Sequence, residues 1–171
     1  MVILIGGGTH TGKTVLAQKL LEKYRYPYLS IDHIKMGLIR AGYTNLKPDS
    51  SDEALTGYLW PVVREMIKTA IENRQNLIIE GCYIPFDYKK DFTDEYLDDI
   101  KYICLIFTRR YIEKQFDKII RYENEAEERM EKAACSQADM TLENERNLRF
   151  CQKYSNEYYL IDEAYQVDIT L

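Results

Sequence analysis

No run of apolar residues in this chain approaches the roughly 20 that a helix needs to cross a bilayer. A membrane-spanning role is therefore not expected. The cysteines, Cys82, Cys104, Cys135 and Cys151, form no C-x-x-C pair, and neither His10 nor His33 clusters with them. That spacing argues against a zinc site and against a disulfide framework, and predicts a reducing compartment. Basic residues are outnumbered, 23 Lys and Arg against 28 Asp and Glu, for a net charge of −5. A long nucleic acid would want a basic face, so such a partner is not expected. Repeats and low-complexity tracts are missing, as is the Asn-Lys-x-Asp tetrapeptide of guanine readers. Nor is there a basic n-region or cleavage signal ahead of the first apolar run, which predicts a cytoplasmic protein. Tyrosine is the residue in unusual supply, 15 of 171.

What is present begins with Val2-Ile3-Leu4-Ile5, an apolar run that reads as a buried strand. Next come Gly7, Gly12, Lys13 and Thr14, in the spacing G-x-x-x-x-G-K-[ST] of a phosphate-binding loop. Helical periodicity follows in Val15-Leu16-Ala17-Gln18-Lys19-Leu20-Leu21. Strand, glycine loop and helix in that order supply the context the motif needs. Glycine lets the backbone approach an anion with no Cβ in the way. The inward N–H groups make an anion nest, and the helix adds its unpaired first-turn donors. The expected nucleotide contacts are Gly7, Gly8, Thr9, His10, Thr11, Gly12, Lys13, Thr14 and Val15, with His10 offering its backbone N–H. Lys13 would reach the β- and γ-phosphates and the Thr14 hydroxyl would ligate Mg²⁺.

Further apolar runs predict strands at Pro27–Ile31, Asn76–Gly81, Lys101–Phe107 and Tyr158–Asp162. Between them the pattern predicts helices over Lys13–Tyr24, His33–Arg40, Asp52–Asn73, Thr108–Tyr122 and Thr141–Tyr154. Asp32 and Asp52 are the expected caps of the second and third, and Pro61 is expected to kink or divide the third. Cys82–Thr93 reads as a loop, and residues 122–138 as a charged, lid-like segment within a single domain spanning 1–171. Alternating strands and helices imply a parallel sheet covered on both faces.

In such sheets ligands bind beyond the carboxyl ends of the strands. That rim holds the loop, Asp32, Glu80 and Thr108-Arg109-Arg110. Asp32 is a candidate to orient an acceptor hydroxyl and take its proton. Glu80 ends an apolar strand, where a charge is costly unless it is paired or ligates something, so it is a candidate for the metal or for the acceptor. Which of the two carboxylates is the base stays open. Arg40, about two turns beyond Asp32, and Arg64 would meet an anionic group on the acceptor, in a cavity between Asp32, Arg40 and Tyr83. An arginine of the charged segment, with Arg121, Arg129, Arg146 and Arg149 as the candidates, would neutralise charge developing on a transferred phosphoryl group.

These residues carry a resemblance. The opening loop, Leu29-Ser30-Ile31-Asp32, Ile78-Ile79-Glu80-Gly81 and the Arg121-to-Arg129 segment resemble the P-loop small-molecule kinases: nucleoside monophosphate, shikimate and gluconate kinases, and the zeta-toxin and 2-phosphoglycerate kinase-like proteins. The resemblance implies a three-layer P-loop NTPase fold, with a five-stranded parallel sheet and a short helical lid. It implies ATP and Mg²⁺ as cofactors, a small-molecule acceptor, Asp32 near the acceptor, and Arg121 and Arg129 on ATP. Adenylate kinases carry Asp-Gly-Phe-Pro-Arg after the third strand; here Gly81 leads into Cys82-Tyr83-Ile84-Pro85. The acceptor and the oligomeric state stay open, and the rival readings are a regulatory NTP-binding switch and a zeta-toxin-like kinase of a UDP-sugar.

Overall fold

The computed structural model describes residues 1–126 and 135–170. Its five strands form one wholly parallel sheet in the order β2-β3-β1-β4-β5. β1 (Val2–Gly7) is central, between β3 (Leu77–Glu80) and β4 (Ile100–Phe107), and the edges are β2 (Tyr28–Ser30) and β5 (Tyr158–Ile161). Around the sheet lie α1 (Lys13–Tyr24), α2 (Ile31–Arg40), α3 (Asp52–Glu72), α4 (Asp94–Leu97), α5 (Arg109–Ala126) and α6 (Gln137–Lys153).

Because side chains alternate along a strand, β1 feeds two cores. Val2 and Leu4 pack with Leu55, Leu59, Val63 and Ile67 of α3 and with Cys151 of α6. Ile3 and Ile5 pack with Leu16 and Leu20 of α1, Ile112 of α5 and Met140 of α6. With both faces covered, the run is apolar throughout rather than alternating. This is the anticipated three-layer α/β arrangement. Cys82, Cys104 and Cys151 are free thiols, and Cys104 and Cys151 are fully buried. Among the described residues no helix is long and apolar enough to cross a membrane.

Four boundaries differ from expectation. β2 is only three residues long, and α2 starts at Ile31 with Ser30 at its cap, so Asp32 lies inside the first turn rather than capping it. The cause is Ile31, which is fully buried against Gly81; a Cβ on Gly81 would fall 2.9 Å from the Ile31 Cβ. Asp52 is likewise the first residue of α3, while Ser51 caps it by accepting from the Ala54 N–H at 3.3 Å.

Pro61 sits within one continuous helix. It deprives the Gly57 carbonyl of its intrahelical donor, but both residues are on the exposed face, where water takes that place, while Leu59, Trp60 and Val63 are buried. α6 begins at Gln137, earlier than Thr141, because Ser136 accepts from the Asp139 N–H at 3.1 Å and donates to its carboxylate at 2.6 Å. Of the expected lid, residues 122–126 belong to α5 and 137–138 to α6. Arg129 lies outside the described residues.

Candidate active site

The loop between β1 and α1 closes on itself. Gly8 lends its carbonyl to the Thr11 hydroxyl and to the Lys13 ammonium, each at 2.8 Å. Thr11 is fully buried and Lys13 nearly so. At Gly7, φ is 141°, and a Cβ would stand 2.7 Å from both the Leu105 carbonyl oxygen and Thr11 Oγ1. His10 adopts φ 66°, a left-handed conformation that costs a non-glycine residue about 1–2 kcal/mol. Four buried aliphatic side chains on β1, each contributing about 1.5–3 kcal/mol, outweigh that cost and fix where the loop starts. Tyr165, beyond β5, closes the loop from the other side. Its hydroxyl lies 3.3 Å from the Thr11 carbonyl oxygen and 3.1 Å from that of Gly12. A Cβ on Gly12, where φ is 82°, would run into that hydroxyl. Val15 follows in the first turn of α1, half-buried.

The sheet register sets Glu80 beside both Ile5 and Ser30, which aims its side chain at the start of α1. The Thr14 hydroxyl donates to Glu80 Oε1 at 3.3 Å. Glu80 is 2% exposed, so a hydroxyl and a carboxylate, both hard oxygen donors, meet next to the glycine loop. Mg²⁺ is held by one or two carboxylates together with substrate phosphates rather than by a protein cage. The pair fits that ion; among the described residues no group of three or more His, Cys, Asp and Glu offers more.

Burial pulls the Lys13 ammonium down, but Cys82, Glu80 and Glu143 more than offset it, and its pKa is raised. Burial also lifts the Cys82 thiol above its ordinary value. Cys82 is therefore neutral near pH 7, and the two carboxylates carry the attraction to Lys13 there.

Asp32 is ion-paired with Lys35 one turn on, and the same ammonium donates to the Tyr83 hydroxyl at 2.9 Å. The structure thus brings Asp32 and Tyr83 together through a lysine that sequence reasoning passed over. Arg40 is exposed in the last turn of α2. Arg64 pairs with Glu65 at 2.7 Å and Asp91 at 3.6 Å, where Asp91 also accepts from the Trp60 indole at 2.8 Å. Arg121 is exposed and borders a surface cavity of about 620 Å³ along α5 that includes no loop residue.

A cavity lies between α3 and α6, and none of Asp32, Arg40 and Tyr83 lines it. Its volume is about 350 Å³, and it runs from Gly6 and Gly7 past Gly81 and Cys82 to Glu143 and Asn147. Glu143 reaches out of α6 to the loop, where its carboxylate accepts from the Thr9 N–H at 3.2–3.3 Å. Burial raises its pKa against the opposing pull of Lys13. Glu143 and Tyr165 are the residues the sequence reading missed. A signal existed for α6, whose weak apolar stripe carries asparagine at two buried positions, Asn144 and Asn147.

No family model matches the chain, and no curated protein matches it. Solved structures do match in fold. Deoxyadenosine kinase from M. mycoides with bound dATP is 17% identical, with 98% of this chain and 93% of that one covered, at a TM-score of 0.58. The same enzyme with dCMP and dCDP gives 16% identity, 95% and 90% coverage, and a TM-score of 0.55. A provisionally named kinase from Chloroflexus aurantiacus gives 18% identity, 98% and 91% coverage, and a TM-score of 0.58. These likenesses establish the fold, a three-layer P-loop α/β domain with helices on both sides of a five-stranded parallel sheet.

Proposed function

We propose that the protein is an ATP-dependent phosphotransferase, moving the γ-phosphoryl group to a small-molecule acceptor with Mg²⁺ assistance. The observation that carries this reading is the placement of a buried Lys13 and a Thr14–Glu80 pair at one closed glycine loop. Kinases among the structures that share the fold agree with it. The domain spans residues 1–171, and the free thiols of Cys82, Cys104 and Cys151 suit a cytoplasmic setting.

The loop N–H groups from Gly8 to Thr14 and the first turn of α1 hold the phosphates, and Lys13 leaves the Gly8 carbonyl for the β- and γ-oxygens. Thr14 and Glu80 would hold Mg²⁺, which when bound screens the phosphate charge. Because Glu80 is committed to Thr14, Asp32 is left to receive the acceptor's proton, its position fixed by Lys35. The acceptor oxygen bonds to the γ-phosphorus as the bond to the bridging oxygen breaks, ADP leaves with that electron pair, and the hydroxyl proton passes to the carboxylate. Catalysis is then mostly positioning and charge stabilisation.

The test is coupled ADP release with Mg·ATP over a panel of nucleosides, nucleoside monophosphates, sugars, sugar acids and UDP-sugars. Lys13→Ala is expected to abolish turnover and Asp32→Asn to lower acceptor-dependent kcat by about 10²-fold or more. Unchanged turnover in Lys13→Ala would remove the basis for the assignment.

A further inference from the structure

Two asparagines on α6 differ in a way that points to a ligand. Asn144 is fully committed: its carbonyl oxygen accepts from the Phe107 N–H and its amide donates to the Met140 carbonyl, both at 2.8 Å. Asn147, one turn on, is only 4% exposed and lines the cavity between α3 and α6. Its side-chain amide has no hydrogen-bond partner among the described residues. The amide is not sealed in, since the fully enclosed side-chain atom without a partner among the described residues is Asn156 Oδ1, so the Asn147 donors and acceptor are open to whatever fills the cavity. Here the amide opens onto a cavity that reaches Gly7, at the start of the glycine loop, and Glu143, which accepts from the Thr9 N–H of that loop.

The charges around it narrow what fits. Asp52 and Glu53 come from α3, and Glu143 and Arg146 from α6. Three carboxylates against one guanidinium disfavour an entering phosphate or carboxylate; Glu143, the partly buried one, acts most strongly, while the exposed Asp52 and Glu53 are screened by water. Hydroxyl groups do the opposite, since they donate to carboxylates. The Asn147 amide, with donors and an acceptor side by side, matches a flat edge of the same kind.

We propose that the phosphoryl acceptor binds in this α3–α6 cavity and is an uncharged, hydroxyl-bearing molecule with a hydrogen-bonding edge read by Asn147. This rests on the phosphotransfer reading above and narrows it, excluding monophosphates and sugar acids as acceptors. A nucleoside-sized molecule suits the volume of about 350 Å³. Asn147 is the specificity residue, and Glu53 and Glu143 repel charged competitors.

The experiment is calorimetry on the full chain loaded with Mg²⁺ and a non-hydrolysable ATP analogue. Matched pairs are titrated: a nucleoside against its 5′-monophosphate, and an aldose against its aldonic acid. The uncharged member of at least one pair is expected to bind about tenfold or more tighter than its charged partner. In steady state with that acceptor, Asn147→Ala is expected to raise KM by about 10- to 100-fold with kcat little changed. Glu53→Lys, on the exposed face of α3, is expected to improve binding of the charged member, which a purely structural role for Glu53 would not do. Preference for the charged members in the wild-type protein overturns the proposal, as does failure of every uncharged member while the analogue still binds. Failure of the analogue itself brings down the phosphotransfer reading, and this one with it.

Discussion

The two walls of the site are built on opposite plans. On the glycine-loop wall, polar groups are spoken for: Lys13 and Thr11 bond to Gly8, Thr14 bonds to Glu80, and Tyr165 reaches the carbonyls of Thr11 and Gly12. On the α3–α6 wall, among the described residues, the Asn147 amide has no hydrogen-bond partner and the Glu143 carboxylate accepts from the Thr9 N–H alone. Internal bonds fix the first wall in one shape, which suits the proposed polyphosphate. The second has hydrogen-bonding capacity to spare, which suits the proposed acceptor. Under the proposed function, preorganisation and specificity fall in separate places.

The sharpest way to break this contrast is at Gly7. Alanine there would meet a backbone carbonyl oxygen at 2.7 Å with φ at 141°. Gly7→Ala is expected to cost about 3 kcal/mol and lower Tm by about 10 °C in thermal unfolding. An unchanged Tm would mean the loop is not fixed in advance.

A smaller effect is expected where the walls touch. A phosphate oxygen and the Glu143 carboxylate compete for the Thr9 N–H, so Glu143→Gln should tighten Mg·ATP binding by about tenfold at pH 7. Burial raises the Glu143 pKa above its unfolded value. The fold therefore favours the protonated acid, and its contribution to stability, present below the ordinary carboxyl range, is lost as pH rises through the raised value. Titration of Mg·ATP affinity from pH 8 down to pH 5 should show a gain in the wild-type protein relative to Glu143→Gln. Parallel curves would show that the carboxylate has no bearing on the nest.

The least change is expected from Tyr165→Phe, which removes one shared hydrogen bond, about 1 kcal/mol by denaturant unfolding at pH 7. Burial pushes the Tyr165 phenol up to about 12. Its hydroxyl therefore stabilises the fold fully below pH 10 and loses that contribution as pH rises through about 12. The gap between the two proteins should be flat from pH 6 to 9 and narrow above 10.

How much of this could be read from sequence follows the same division. The glycine-loop wall is local: strand, loop and helix are consecutive, and the residue types alone announce that order. Glu80 was legible because a carboxylate ending an apolar run is anomalous by itself. The other wall depends on which turn of α6 crosses the sheet opposite α3, and Glu143 carries no local mark separating it from Glu145. The pairing of Arg64 with Asp91 was hidden for a similar reason, since it joins segments 27 residues apart through a loop with no regular period. Asp32 was assigned to the right rim but the wrong helical position, because nothing adjacent announces that Ile31 must bury itself against Gly81.

The bond from Tyr165 to the glycine loop spans 153 positions of sequence. Closing a contact of that separation requires most of the intervening chain to be in place, so the loop takes its final form late in folding, after its own strand and helix have formed. Refolding followed by tryptophan fluorescence at Trp60 and by capture of a labelled nucleotide should then give two different clocks, with the nucleotide signal lagging.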